Sequence, residues 1–113
     1  MMDYFENWIV QARKGFLELC VLNALEGEER YGYDLVNSLV DTAGLGVTEG
    51  TLYPLLSRLR LQGLVTTRLE ESSGGPARKY YALTAKGRKI AKQMNDHVEL
   101  MIQGSRGLRG RKE

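Results

Sequence analysis

Apolar side chains recur at helical spacing in five stretches of the chain and alternate in two. From Tyr4 to Ala12, the residues Phe5, Trp8, Ile9 and Ala12 fall on one face of a short amphipathic helix with unusually large side chains, and Tyr4 stands beside the stripe. Phe16 to Leu25 is apolar nearly all round and predicts the central helix, with Gly27 as its natural stop. Leu35, Val36, Leu39 and Val40 predict a third helix ended by Gly44. After the turn Gly44-Leu45-Gly46-Val47, a fourth helix shows one apolar face of Leu52, Leu55, Leu56 and Leu59 and closes at Gly63. Thr48 can cap it, but Pro54 lies within the pattern, removes a backbone donor and presses on the carbonyl of Gly50. Either the helix bends there or Thr51 is the cap.

Beyond Gly63 the period becomes alternating. Leu64 to Glu70 predicts a strand, Ser72-Ser73-Gly74-Gly75-Pro76 a flexible turn, and Arg78 to Leu83 a second strand, together a hairpin. Alternation puts Lys79, Tyr81 and Leu83 on one side and Arg78, Tyr80 and Ala82 on the other, so Tyr81, sharing a side with Leu83, is the expected core tyrosine. Thr84 caps a last helix whose Ala91, Met94, Val98 and Met101 form a heptad-like seam too short to pair alone. The tail, residues 104–113, rich in glycine and basic residues, is expected to be disordered. The fold class is therefore mainly α with a two-stranded β-hairpin, in the order α-α-α-α-β-β-α, that of a winged helix-turn-helix.

At 113 residues, with 42% hydrophobic and 27% charged content, one core and one domain are expected. One cysteine and one histidine exclude a disulfide framework and leave too few ligands for a tetrahedral zinc site, and no cofactor is expected. Cys20, inside the central helix, reads as a small buried hydrophobe. The longest apolar run is interrupted by Glu18 and Asn23 and is short of a membrane span, and the first residues lack a signal peptide's basic region, so a cytoplasmic protein is expected. Catalysis finds little support: a triad would need His97 with Cys20 or a serine, Gly44, Gly46 and Gly50 follow no strand as a dinucleotide fingerprint requires, and Glu26, Glu28 and Glu29 form a solvated loop cluster.

Net charge is only +2, but it is segregated: residues 1–50 carry a net −6 and residues 51–113 a net +8. The basic half begins with the second helix of the helix-turn-helix, the one that enters a major groove in this architecture. With Leu52, Leu56 and Leu59 inward, Thr51, Tyr53, Ser57, Arg58 and Arg60 lie on its flanks or outer face, and Thr48 and Glu49 stand at its amino end, where base contacts are usual. The mobile tip Gly74-Gly75-Pro76-Ala77 is followed by Arg78 and Lys79, both candidates for phosphate contact. Double-stranded DNA is the expected partner. The same charges would serve a winged-helix adaptor that docks an acidic protein.

Thr51-Leu52-Tyr53-Pro54-Leu55-Leu56-x-Arg58-Leu59, Gly63-Leu64-Val65 and Arg78-Lys79-Tyr80-Tyr81-x-Leu83-Thr84-x-x-Gly87, supported upstream by Tyr31-Gly32-Tyr33-Asp34-Leu35, resemble the PadR family of bacterial transcriptional regulators over roughly residues 12 to 90. The resemblance implies a homodimer built from the first and last helices that binds an inverted-repeat operator, usually as a repressor. The short C-terminal part resembles the family's class without a separate dimerisation domain. The division it implies is an N-terminal dimerisation helix (1–13), a DNA-binding domain (14–84), a C-terminal dimerisation helix (85–103) and the tail (104–113). Multidrug-sensing relatives of this class stack flat drugs between tryptophans of the last helix, where this chain has Met94, Val98 and Met101; its one tryptophan, Trp8, lies on the first helix. Phe5, Trp8 and Ile9 are therefore expected to face the partner's Met94, Val98 and Met101, as plain seam or as an apolar slot for a small hydrophobic effector that alters the angle between the two winged domains.

Overall fold

The computed structural model describes residues 1–110. Asp3 opens α1 (Tyr4–Arg13), its carboxylate accepting from the Glu6 amide at 2.8 Å. Gly15, at φ +78°, turns the chain into α2 (Phe16–Ala24), which buries Leu19, Val21 and Leu22. A two-residue strand, β1 (Arg30–Tyr31), leads into α3 (Gly32–Val40). The helix-turn-helix partner, α4 (Glu49–Leu61), has Leu52, Leu55, Leu56 and Leu59 buried. Strands β2 (Val65–Glu70) and β3 (Arg78–Leu83) form the hairpin, and α5 (Ala85–Gly107) completes the order.

Two differences from the sequence reading concern the sheet and the tail. The sheet has three antiparallel strands in the order β1-β3-β2, with Arg30 opposite Tyr81 and Tyr31 opposite Tyr80. Two residues are too few for alternation to reveal, and the third strand exists because Gly32 lets the chain close on β3: a Cβ there would lie 2.9 Å from the Tyr81 ring. The last helix does not stop at 103: residues 104–107, expected to be disordered, continue α5, because isolated glycines weaken a helix without ending it. The Arg111, Lys112 and Glu113 part of the expected tail lies outside the described residues.

Pro54 stays inside α4, and Thr48, with extended backbone (φ −113°, ψ 162°), is the N-cap. The ambiguity thus resolves toward Thr48, with Gly50 as the residue whose carbonyl faces the proline ring. At the other end Gly63, at φ +77°, donates to the Arg60 carbonyl at 3.0 Å while Leu64 donates to that of Leu59 at 3.0 Å, a Schellman closure that launches β2.

One core joins Leu22, Leu25, Leu35, Leu52, Leu56, Leu59 and Val65, with Tyr81 and Leu83 from the sheet and Ala91 from α5. Cys20 is half-buried, which pushes its thiol above the ordinary value. α5 is anchored at three places. The Thr84 hydroxyl donates to the Gly63 carbonyl at 2.6 Å and accepts from the Gly87 amide at 2.9 Å. Gly87 lies against the Leu64 carbonyl. Asn95 and Asn23 of α2 exchange amide hydrogen bonds of 2.8 and 3.0 Å. Past these anchors α5 runs free, every residue from 99 to 110 exposed, which helps to stretch the molecule to 67 × 38 × 21 Å. Among the described residues, no helix is long and apolar enough to cross a membrane.

Candidate nucleic-acid interface

The outer face of α4 carries Thr51, Tyr53, Ser57, Arg58 and Arg60, all exposed, and Thr48 and Glu49 are exposed at its amino end. The Thr48 and Thr51 hydroxyls lie 3.3 Å apart, and neither caps a backbone amide, so both retain hydrogen-bonding capacity. The buried leucines opposite fix the helix to the core, so this polar face is held at a set angle.

Arg58 is not a free cation. Its guanidinium is paired with Glu18 of α2, at side-chain exposures of 59% and 30%, so the carboxylate is the more enclosed partner. Sequence gave no signal for this pair, since the two residues are 40 positions apart. Burial, and then the nearby Tyr53, push the Tyr81 hydroxyl above its ordinary value, and the charge of Arg60 opposes them in part. That places Tyr53, Arg60 and the Tyr81 side of the sheet together.

The wing divides its two cations. Lys79 stands on the Tyr81 side, its ammonium 6.0 Å from that ring, and so on the side that α4 covers. Arg78 stands on the opposite side, its guanidinium 4.9 Å from the centre of the Tyr31 ring. Tyr31 in turn packs on Tyr80 at 5.8 Å and Tyr33 at 6.1 Å, and Arg68 lies 4.7 Å over Tyr80. Arg68 is committed further: its Nε donates to Glu29 at 2.9 Å, and Glu70 lies 3.4 Å away. The hydrogen bond from Arg68 holds the Glu29 carboxyl below its ordinary value. The alternation of β3 already separated Arg78 from Lys79; what sequence missed is the aromatic ladder of β1 that gives Arg78 a seat.

The remaining predicted residues lie away from this surface. Met94 and Val98, half-buried, and Met101, exposed, line a groove of about 610 Å³ between the α1–α2 turn and α5, with Phe16, Leu19 and Ile90 in its walls and Lys14, Gln93 and His97 at its polar positions. Phe5 and Trp8 do not line it. Their rings stack on each other at 6.3 Å and an interplanar angle of 12°, 64% and 57% exposed, while Ile9 is half-buried.

Comparison with known proteins agrees with this fold. A family described as "Transcriptional regulator PadR-like family" matches residues 21–93. A PadR-like transcriptional regulator from Bacillus cereus superposes with a TM-score of 0.77 at 35% identity, over 90% of this chain and 99% of that one. The Bacillus subtilis PadR, solved in complex with operator DNA, superposes with a TM-score of 0.60 at 25% identity, over 69% of this chain and 45% of that one. The transcriptional regulator YqjI of Escherichia coli is 33% identical over 89 residues, 77% of this chain and 41% of its own length, so the chain spans about two fifths of that relative. The Bacillus cereus and Escherichia coli proteins are regulators of transcription, and the Bacillus subtilis protein is seen on operator DNA. The family match runs from the end of α2 into the first part of α5, including every strand and the whole of α3 and α4, and the chain belongs to the PadR-like family of transcriptional regulators.

Proposed function

We propose that the chain acts as a homodimeric, sequence-specific DNA-binding repressor whose operator is an inverted repeat. The observation that carries this reading is the exposed polar face of α4, flanked on one side by Lys79 of the wing, on a relative of a regulator solved with operator DNA. In it, Thr48, Glu49, Thr51, Tyr53 and Ser57 meet base edges, Arg58 and Lys79 meet phosphates near the groove, and Arg78 meets the backbone from the far side of the wing. The exposed Phe5–Trp8 stack and the exposed apolar residues Leu100, Met101 and Ile102 support a second copy as the cover for α1 and α5. Two-fold symmetry then places half-sites about one DNA turn apart or a multiple of it.

A mobility shift with the DNA upstream of the protein's own gene tests the reading. Retention should weaken steeply as salt rises, because each neutralised phosphate releases counterions. Absence of retention at low salt, or retention independent of sequence at every salt concentration, would sink it.

The groove beside Met94 and Val98 supports a further role as the seat of a small hydrophobic effector. Such a ligand changes DNA affinity only through different affinities for two dimer arrangements, so operator must weaken ligand binding by the same factor. In the dimer the partner's Trp8 lies against this groove, so titrating aromatic compounds while following Trp8 emission, with and without operator, reads both effects. Saturable binding that operator leaves unchanged would mean a pocket without a switch.

A further inference from the structure

Arg13 is the last residue of α1, and its guanidinium reaches across to the turn between α3 and α4. Nη1 donates to the Leu45 carbonyl at 2.7 Å and to the Gly46 carbonyl at 2.8 Å. The turn is shaped to receive it. Leu45 and Val47 are buried, so the backbone between them is pinned on both sides. Gly46, at φ +56°, carries no side chain where one would collide: a Cβ there would lie 2.5 Å from the Arg13 Nη1. Two residues later the chain enters α4 through Thr48 and Glu49.

We propose that Arg13 is a positioning residue for DNA recognition: by holding both turn carbonyls it fixes the amino end of α4 relative to α1, without touching DNA itself. The inference rests on the DNA-binding reading and deepens it. A charged donor shared between two carbonyls is worth more than a neutral one, and its removal loosens the segment that leads to the base-contacting residues. The leucines of α4 still hold the rest of the helix, so the loss is confined to its amino end. Because α1 also carries the exposed Phe5–Trp8 stack, the same contact ties the recognition helix to the element that a second copy covers.

The decisive comparison uses the full chain as Arg13→Met, which keeps the aliphatic stem and removes the donors, and Arg13→Lys, which restores one charged donor. Three readouts are taken: affinity for operator and for random-sequence DNA, the salt dependence of each, and hydrogen exchange of the backbone amides at 45–52. Arg13→Met should lose about tenfold on operator and less than about threefold on random DNA, as expected when aligned base contacts are lost and phosphate contacts kept. Its salt slope should stay unchanged, exchange at 45–52 should quicken, and Arg13→Lys should recover part of each. Equal losses on both DNAs with a slope lowered by about one would make Arg13 a phosphate contact and overturn the proposal. Unchanged exchange in a chain whose wild type binds operator would also overturn it. A wild-type chain that retains no DNA would instead overturn the DNA-binding reading itself, and quickened exchange in Arg13→Met would then mark a purely structural clamp.

Discussion

At Gly87 the first turn of α5 lies so close to the end of α4 and the start of β2 that a Cβ would sit 2.0 Å from the Leu64 carbonyl oxygen and 3.0 Å from its carbon. Backbone cannot yield there, because Leu64 also accepts from the Thr84 amide at 3.1 Å and donates to Leu59. Gly87→Ala should therefore destabilise by about 3 kcal/mol, the scale of a severe overpacking, although alanine is the better helix former. Urea unfolding would show it as a lowered midpoint with an unchanged slope, and an unchanged midpoint would contradict the packing. Cys20 allows a second test at this scale. Burial pushes its thiol above the ordinary value, so the reactive thiolate is scarcer than in a free cysteine at the same pH. Its alkylation should be slower than that of a free thiol and should quicken on unfolding.

The elements were legible in the sequence where a period lasted long enough to count. The leucine face of α4 and the alternation of β3 gave both the helix and the burial of Tyr81, and Gly63 marked a real closure. Legibility failed where a contact joins distant positions or an element is too short to show a period: β1, the Glu18–Arg58 pair, and the seat of Arg78 on Tyr31. That seat changes what the wing should do. Lys79 shares the side of the sheet with α4, whereas Arg78 faces away on its aromatic ladder. Lys79→Ala should accordingly weaken DNA binding more than Arg78→Ala, each lowering the salt slope by no more than about one. Equal effects in the two variants would mean that the wing twists on binding. The Glu29–Arg68 pair beside it gives a pH test. Because the folded carboxyl is held below its ordinary 4.5, its stabilisation is present above that value and is lost as pH falls through the lower folded value. Wild type and Glu29→Gln should differ at neutral pH, by little because the pair is exposed, and converge in acid. A difference that persists undiminished below the folded value would point to packing instead of charge.

On the scale of the whole molecule, α1 and the outer part of α5 carry apolar surface that one chain leaves bare: Phe5 is 64% exposed, Trp8 57%, Leu100 63% and Met101 55%. Scattered exposed leucines are ordinary, but an aromatic pair already stacked on itself and a helix running clear of its own core form continuous surfaces. Covering them with a second copy would also set the distance between two recognition helices, since α5 is anchored to α2 through Asn23–Asn95 and to the end of α4 through the Thr84–Gly63 hydrogen bond. Dimerisation and operator spacing are then one geometric quantity, and disrupting the first should damage the second without touching α4 or the wing. Phe5→Asp with Trp8→Asp places two charges on the stack while leaving the core intact, because neither residue is buried. The double variant should sediment as a folded monomer at micromolar concentration. It should bind a single half-site as wild type does, because α4 and the wing are unaltered. On the full operator it should lose the gain that comes from linking two half-sites, on the order of a hundredfold or more. A double variant that remains dimeric would place the seam elsewhere on the molecule. One that is monomeric yet holds the full operator at wild-type affinity would show that each chain reads its DNA alone.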